Sequence, residues 1–154
     1  MTLVVECKAD EALVRALGVA RGDIEHFLGK GRVCNRLARI SGAVGMMDED
    51  PGVTVPSYVQ RLSEIRDQCS VRMLNDNERS NLIIVLRPRL EEWLVNSARE
   101  SGVKLTDFGF GSDQGLKLHS EINGRLASLS RLVSTLIEKG NDRLLYLRSH
   151  LVHK

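Results

Sequence analysis

Aromatic side chains are scarce in this sequence: one Trp, two Tyr and three Phe among 154 residues. Any core must therefore rest on Leu, Val, Ile and Ala. Cysteine is thin as well. Cys7, Cys34 and Cys69 are an odd number, far apart, with no CxxC pair. That argues against a disulfide framework and a Cys-based zinc site, and for a reducing compartment. No apolar run approaches the ~20 residues that span a membrane. The first residues reach an acid at Glu6 without the basic start and apolar stretch of a signal peptide, so the expectation is a soluble, cytoplasmic protein. An excess of one charge is also missing. With 22 basic and 20 acidic residues the net charge is +2, too even to announce nucleic-acid binding by itself.

The chain is long enough to bury a core as one domain, 1–154. Short apolar runs alternate with segments of helical period. Leu3-Val4-Val5 reads as a strand ending at Glu6, Asp23–Leu28 as a weak second strand and Ala43–Met47 as a third. Val71–Leu74 is a further candidate strand, and Leu82–Leu86 is the strongest. Between them, Asp10 reads as the cap of a helix through Ala12, Leu13, Ala16 and Leu17. Val33, Leu37 and Ile40 mark a second helix, and Val59, Leu62 and Ile65 within Pro56–Cys69 a third. Pro88 opens a helix that runs to Gly102. This alternation predicts an α/β fold with a mainly parallel sheet of about four strands flanked by helices. The core unit is 1–102. Residues 103–115 read as a glycine-bearing loop. A helical C-terminal end then follows, Leu116–Glu138 and Asp142–Val152.

In a parallel sheet the carboxyl ends of the strands line one edge, and ligands bind there. Glu6 ends the first strand, and Asp48 and Asp50 follow the third, so acids far apart in sequence converge. Carboxylate oxygens suit a hard cation such as Mg²⁺ that keeps several waters. Taken alone, Asp48-Glu49-Asp50-Pro51-Gly52 is an ordinary surface turn; the joint placement at two strand ends is what points to a site. Gly29-Lys30-Gly31 sits between a strand and a helix, where glycines admit a ligand to the backbone and a helix N-terminus favours an anion. It is equally a plain turn with a solvated Lys, and it is not a Walker A loop.

These residues resemble the Toprim family, the metal-dependent module of topoisomerases, bacterial primases, recombination-repair proteins and OLD-type nucleases. Three segments carry the resemblance: Val4–Leu13 around Glu6, His26–Leu37 around Gly29-Lys30-Gly31, and Val44–Gly52 around Asp48 and Asp50. Cys7 stands where the family usually has Gly. Leu82–Leu86 followed by Pro88-Arg89-Leu90-Glu91-Glu92-Trp93-Leu94 is similar to the OLD and RloB-like groups. The likeness spans about the first two thirds of the chain. It implies that Glu6 is a general acid/base or metal ligand, and that Asp48 and Asp50 hold Mg²⁺, with Mn²⁺ as a substitute. Lys30 would neutralise a phosphate beside Gly29 and Gly31. Asp10, Glu91 and Glu92 are candidates for a second metal or for support, with Lys8 a lesser one. The implied activity is phosphodiester cleavage of DNA or RNA, with an ATPase or other protein subunit, or a second copy of the chain, as partner. A Toprim-shaped subunit that binds without cutting is the alternative.

Other features point to no site. Glu6-Cys7-Lys8 matches the Glu-x-Lys half of a restriction-type nuclease signature, but the Asp-bearing earlier strand has no room. His26, His119, His150 and His153 lack mutual metal-ligand spacing, and no Gly-x-Ser-x-Gly turn marks a nucleophile. Trp93 reads as core. Arg125, Arg131, Lys139, Arg143 and Arg148 form either a basic rim or a solvated helix surface.

Overall fold

A computed structural model describes residues 1–111 and 115–152. Part of the predicted loop over 103–115, and His153, lie outside the described residues. The architecture is α/β: a six-stranded sheet with seven α-helices among the described residues. The strands are β1 (Leu3–Val5), β2 (Ile24–His26), β3 (Val44–Asp48), β4 (Ser63–Gln68), β5 (Val71–Asp76) and β6 (Asn81–Leu86). Their order in the sheet is β2-β1-β3-β6-β5-β4. The first four in that order run parallel, while β5 and β4 are antiparallel additions at one edge.

The helices are α1 (Lys8–Ala16), α2 (Lys30–Leu37), α3 (Ser57–Gln60), α4 (Leu90–Glu100), α5 (Gly115–Gly124), α6 (Leu126–Glu138) and α7 (Asp142–Leu151). No helix among the described residues is long and apolar enough to cross a membrane.

The inner parallel strands β1, β3 and β6 are buried on both faces, which is why they read as largely continuous apolar runs, whereas the edge strand β2 has no buried residue. Leu3, Val5, Val44, Met46, Ile84 and Leu86 face one core, packed against residues of α1, α4, α6 and α7. Val4, Met47, Ile83 and Val85 face a smaller second core with α2 and Tyr58. Gly45 makes the second interface possible. A Cβ built there would sit 2.5 Å from Leu37 Cδ1, so α2 approaches β3 as closely as a glycine permits.

Several expectations are corrected. The sheet has six strands, not about four. Pro56–Cys69 is not one helix: only Ser57–Gln60 is helical, and Ser63–Gln68 is β4. All six residues of β4 are exposed, so its Ile65 follows no buried face and its apparent helical spacing with Val59 and Leu62 was accidental. The continuous helix over Leu116–Glu138 is broken at Arg125, whose ψ of 53° leaves the helical region. The N-cap of α1 is Cys7, not Asp10. The Cys7 thiol accepts from the Asp10 N–H, and Asp10 at the third helical position reaches back to the Cys7 N–H, a capping box with sulfur in place of a hydroxyl. The helix after Pro88 starts at Leu90. Trp93 is core, fully buried, with its indole N–H donating to the Cys69 carbonyl at 3.0 Å.

Candidate metal centre

The chain runs from β1 to β2 on one side and returns to β3 on the other side of β1. The two connections place α1 and α2 on opposite faces of the sheet. The carboxyl ends of β1 and β3 therefore flank a topological switch point, where open α/β sheets form a crevice. Glu6 leaves β1 there and Asp48 ends β3. An open cleft of about 470 Å³ occupies the spot, lined among others by Glu6, Asp48, Asp50, Glu91, Glu92 and His119.

Each acid is fixed by its own local structure. The backbone after β1 is held by Asp10, whose Oδ2 accepts from the N–H groups of Glu6 at 3.3 Å and Cys7 at 3.2 Å. Asp48 Oδ1 accepts from the N–H of Leu90 at 3.0 Å, which joins the end of β3 to the first turn of α4. In the turn beyond, Glu49 points away to Arg87, 2.7 Å from its Nε. Asp50, at φ +50°, points back to the centre. The result is that Glu6, Asp48 and Asp50 each offer a carboxylate oxygen, all within 4.8 Å of one another.

Two cations brace this group. Lys30 Nζ lies 3.0 Å from Asp50 Oδ2 and donates to the Glu49 carbonyl at 3.4 Å. Arg89 Nε lies 3.3 Å from Asp50 Oδ1, and its Nη1 reaches Glu92 Oε1 at 3.1 Å. Lys30 opens α2 behind Gly29, whose φ of +90° favours glycine. Gly31 lies within the first turn of α2, exposed.

The electrostatics are those of crowded carboxylates. Burial is the main cause that raises the Asp48 carboxyl to about 9, with the charges of Asp10, Glu91, Glu6 and Asp50 adding to it. Asp10 is raised to about 7, again by burial first and then by Glu6. Glu6 is raised by burial, with Lys30 opposing and Asp50 reinforcing the shift. Glu6 Oε2 is buried and has no hydrogen-bond partner among the described residues. An all-oxygen set with a buried lone oxygen and mutual repulsion is the donor chemistry that a hard divalent cation satisfies.

The remaining candidates sit around this group rather than in it. Asp10 is buried beneath Glu6 as part of the α1 capping box. Glu91 is buried on α4 and its Oε1 is 2.6 Å from His119 Nδ1 on α5. Glu92 Oε1 is held by Arg89, and its Oε2 is buried without a partner among the described residues. Sequence reasoning missed His119 and Arg89. Nothing local marks His119, 28 residues from its partner. Arg89 precedes a helix like any solvated arginine. Of the rim arginines, Arg143 pairs with Glu100 and Arg125 donates to the Gly109 carbonyl. No family model matches the chain, and no curated protein and no solved structure matches it.

Proposed function

We propose that this chain is a Toprim-type, Mg²⁺-dependent phosphodiester hydrolase acting on DNA or RNA, with Mn²⁺ as a substitute. The observation that carries the reading is the convergence of Glu6, Asp48 and Asp50 within 4.8 Å at the switch point of the sheet, with Glu6 Oε2 buried and unpartnered among the described residues. Glu6, Asp48 and Asp50 would hold the ion, which when bound offsets negative charge developing on the phosphate.

The chain's own residues supply the rest. If Glu6 leaves the ion to Asp48 and Asp50, its carboxyl, which burial raises in the metal-free protein, would instead hold or move a proton next to the reacting phosphate. Lys30 and Arg89 keep Asp50 in place and put two positive charges beside an incoming phosphate. Asp10 fixes the backbone under Glu6. Glu91 orients His119 at the wall of the cleft. The setting is cytoplasmic, and activity is completed by a partner subunit such as an ATPase or by a second copy of the chain.

One observation favours the alternative, a Toprim-shaped subunit that binds nucleic acid or protein without cutting. Asp50 is already neutralised on both oxygens by Lys30 and Arg89, so part of the acidic group is satisfied without an ion. The deciding experiment is cleavage of plasmid and single-stranded DNA and RNA with Mg²⁺ or Mn²⁺, wild type beside Glu6→Gln and Asp48→Asn. Metal-dependent cleavage lost in both variants supports the hydrolase. Metal-independent binding that neither variant changes, with no cleavage, supports the alternative.

A further inference from the structure

Arg36, Arg72, Arg87, Arg89 and Arg143 are each held by a carboxylate within ion-pair distance. Lys8, Arg15 and Arg21, like the surface cations Arg32, Arg39, Arg66 and Arg148, carry no such partner among the described residues, but they alone of these share one groove. All three are exposed, and none forms an ion pair among the described residues. They line a single open groove of about 670 Å³ between α1, the turn that follows it and the start of α6. The floor is made of small residues, among them Ala12, Ala16 and Ala127. Glu11 is the one acid in the lining, and it pairs with none of the three.

The arrangement is linear. Lys8 is the first residue of α1, two positions after Glu6. Arg15 lies two turns further along the same side of the helix, about 10 Å away, and Arg21 follows beyond the end of α1. The cations thus descend from the acidic edge along the flank of the molecule. Unpaired charges spaced along a groove match a polymer with a regular negative charge, and the groove has no aromatic residue on which a base would stack.

We propose that the α1–α6 groove carries the sugar–phosphate backbone of a nucleic-acid strand to the acidic centre, with Lys8, Arg15 and Arg21 as its phosphate contacts. The inference rests on the reading that nucleic acid is the substrate, and adds where the strand lies. Recognition through phosphates alone makes the groove indifferent to sequence.

The test is fluorescence anisotropy of labelled single-stranded and duplex DNA with the full chain in EDTA, across a salt series. Arg15→Glu/Arg21→Glu is expected to weaken binding of every sequence by at least about tenfold and to lower the salt slope by about 1 to 2. Arg15→Gln/Arg21→Gln, with an unchanged thermal midpoint, guards against a folding defect and gives the same direction of change. Wild-type affinity and salt slope in both double variants would overturn the proposal. So would a wild type that binds no DNA at low salt, or one whose groove instead captures poly-glutamate. Binding that depends on Arg15 and Arg21 without metal-dependent cleavage would leave the groove standing and remove the hydrolase.

Discussion

Asp48 Oδ1 accepts the backbone N–H of Leu90 at 3.0 Å, so one carboxylate both belongs to the acidic centre and ties the end of β3 to the start of α4. The two duties pull in opposite directions. As a helix-end acceptor the carboxylate stabilises the N-terminus of α4. Burial first, and then the charges of its neighbouring acids, push its carboxyl up to about 9.

Asp48→Asn keeps an oxygen for the Leu90 N–H. It removes a carboxyl that must take up a proton on folding at neutral pH or be buried charged at higher pH. The metal-free variant is expected to be more stable than wild type at neutral or alkaline pH, by about 1 kcal/mol or more. On the proposed metal reading, Mg²⁺ or Mn²⁺ is expected to raise the thermal midpoint of wild type and not that of the variant. Thermal unfolding in EDTA and in each metal checks both halves.

The pH dependence of the metal-free protein has a defined sign. Asp48 and Asp10 have folded pKa values of about 9 and about 7, above their ordinary value of 3.8. The folded state therefore binds more protons than the unfolded chain between 3.8 and those values, and stability falls as pH rises through that window. The thermal midpoint in EDTA is expected to fall from about pH 5 to about pH 9. The proposed metal binding is expected to follow the reverse course, tightening as pH rises, since the cation would compete with protons on Asp48 and Glu6.

Lys30→Met leaves Asp50 with Arg89 as its remaining cation and makes the centre more negative. The partly buried pair is expected to cost about 1–2 kcal/mol when broken in the metal-free protein. The loss is smaller with a divalent ion present, so the variant shows a larger metal-induced rise in thermal midpoint than wild type. Paired melting curves with and without Mn²⁺ measure it.

The two glycines of α2 and β3 separate a packing role from a plain helix surface. Gly45→Ala forces its Cβ against Leu37 and is expected to destabilise by about 1–3 kcal/mol. Gly31→Ala meets nothing within 4 Å and is expected to stabilise α2 by about 0.5–1 kcal/mol. Denaturant unfolding of the two variants gives the contrast.

How much was legible follows from the physics of each element. β1, β3 and β6 announce themselves because burial on both faces leaves apolar runs, the first two ending abruptly at Glu6 and Asp48, while the edge strand β2, with no buried residue, gives a weak signal. The α/β class and the acids at the strand ends follow from those runs. β4 was hidden because a strand exposed on both faces carries no period of two, and its Ile65 fell by chance into step with Val59 and Leu62. Asp10 looked like a cap because thiols are unusual N-caps; Cys7 takes that place and leaves Asp10 to the third position. The break at Arg125 has no proline to mark it. Arg89 and His119 reach the centre only through tertiary contacts with Asp50 and Glu91, which no local spacing records.

The most direct test of the account is calorimetric titration of Mn²⁺ into the metal-free protein, wild type beside Glu6→Gln and Asp48→Asn. Wild type is expected to show a saturable site that both substitutions abolish while the folded structure persists. Equal binding in all three proteins, or none in a well-folded wild type, would contradict a metal centre built on Glu6, Asp48 and Asp50.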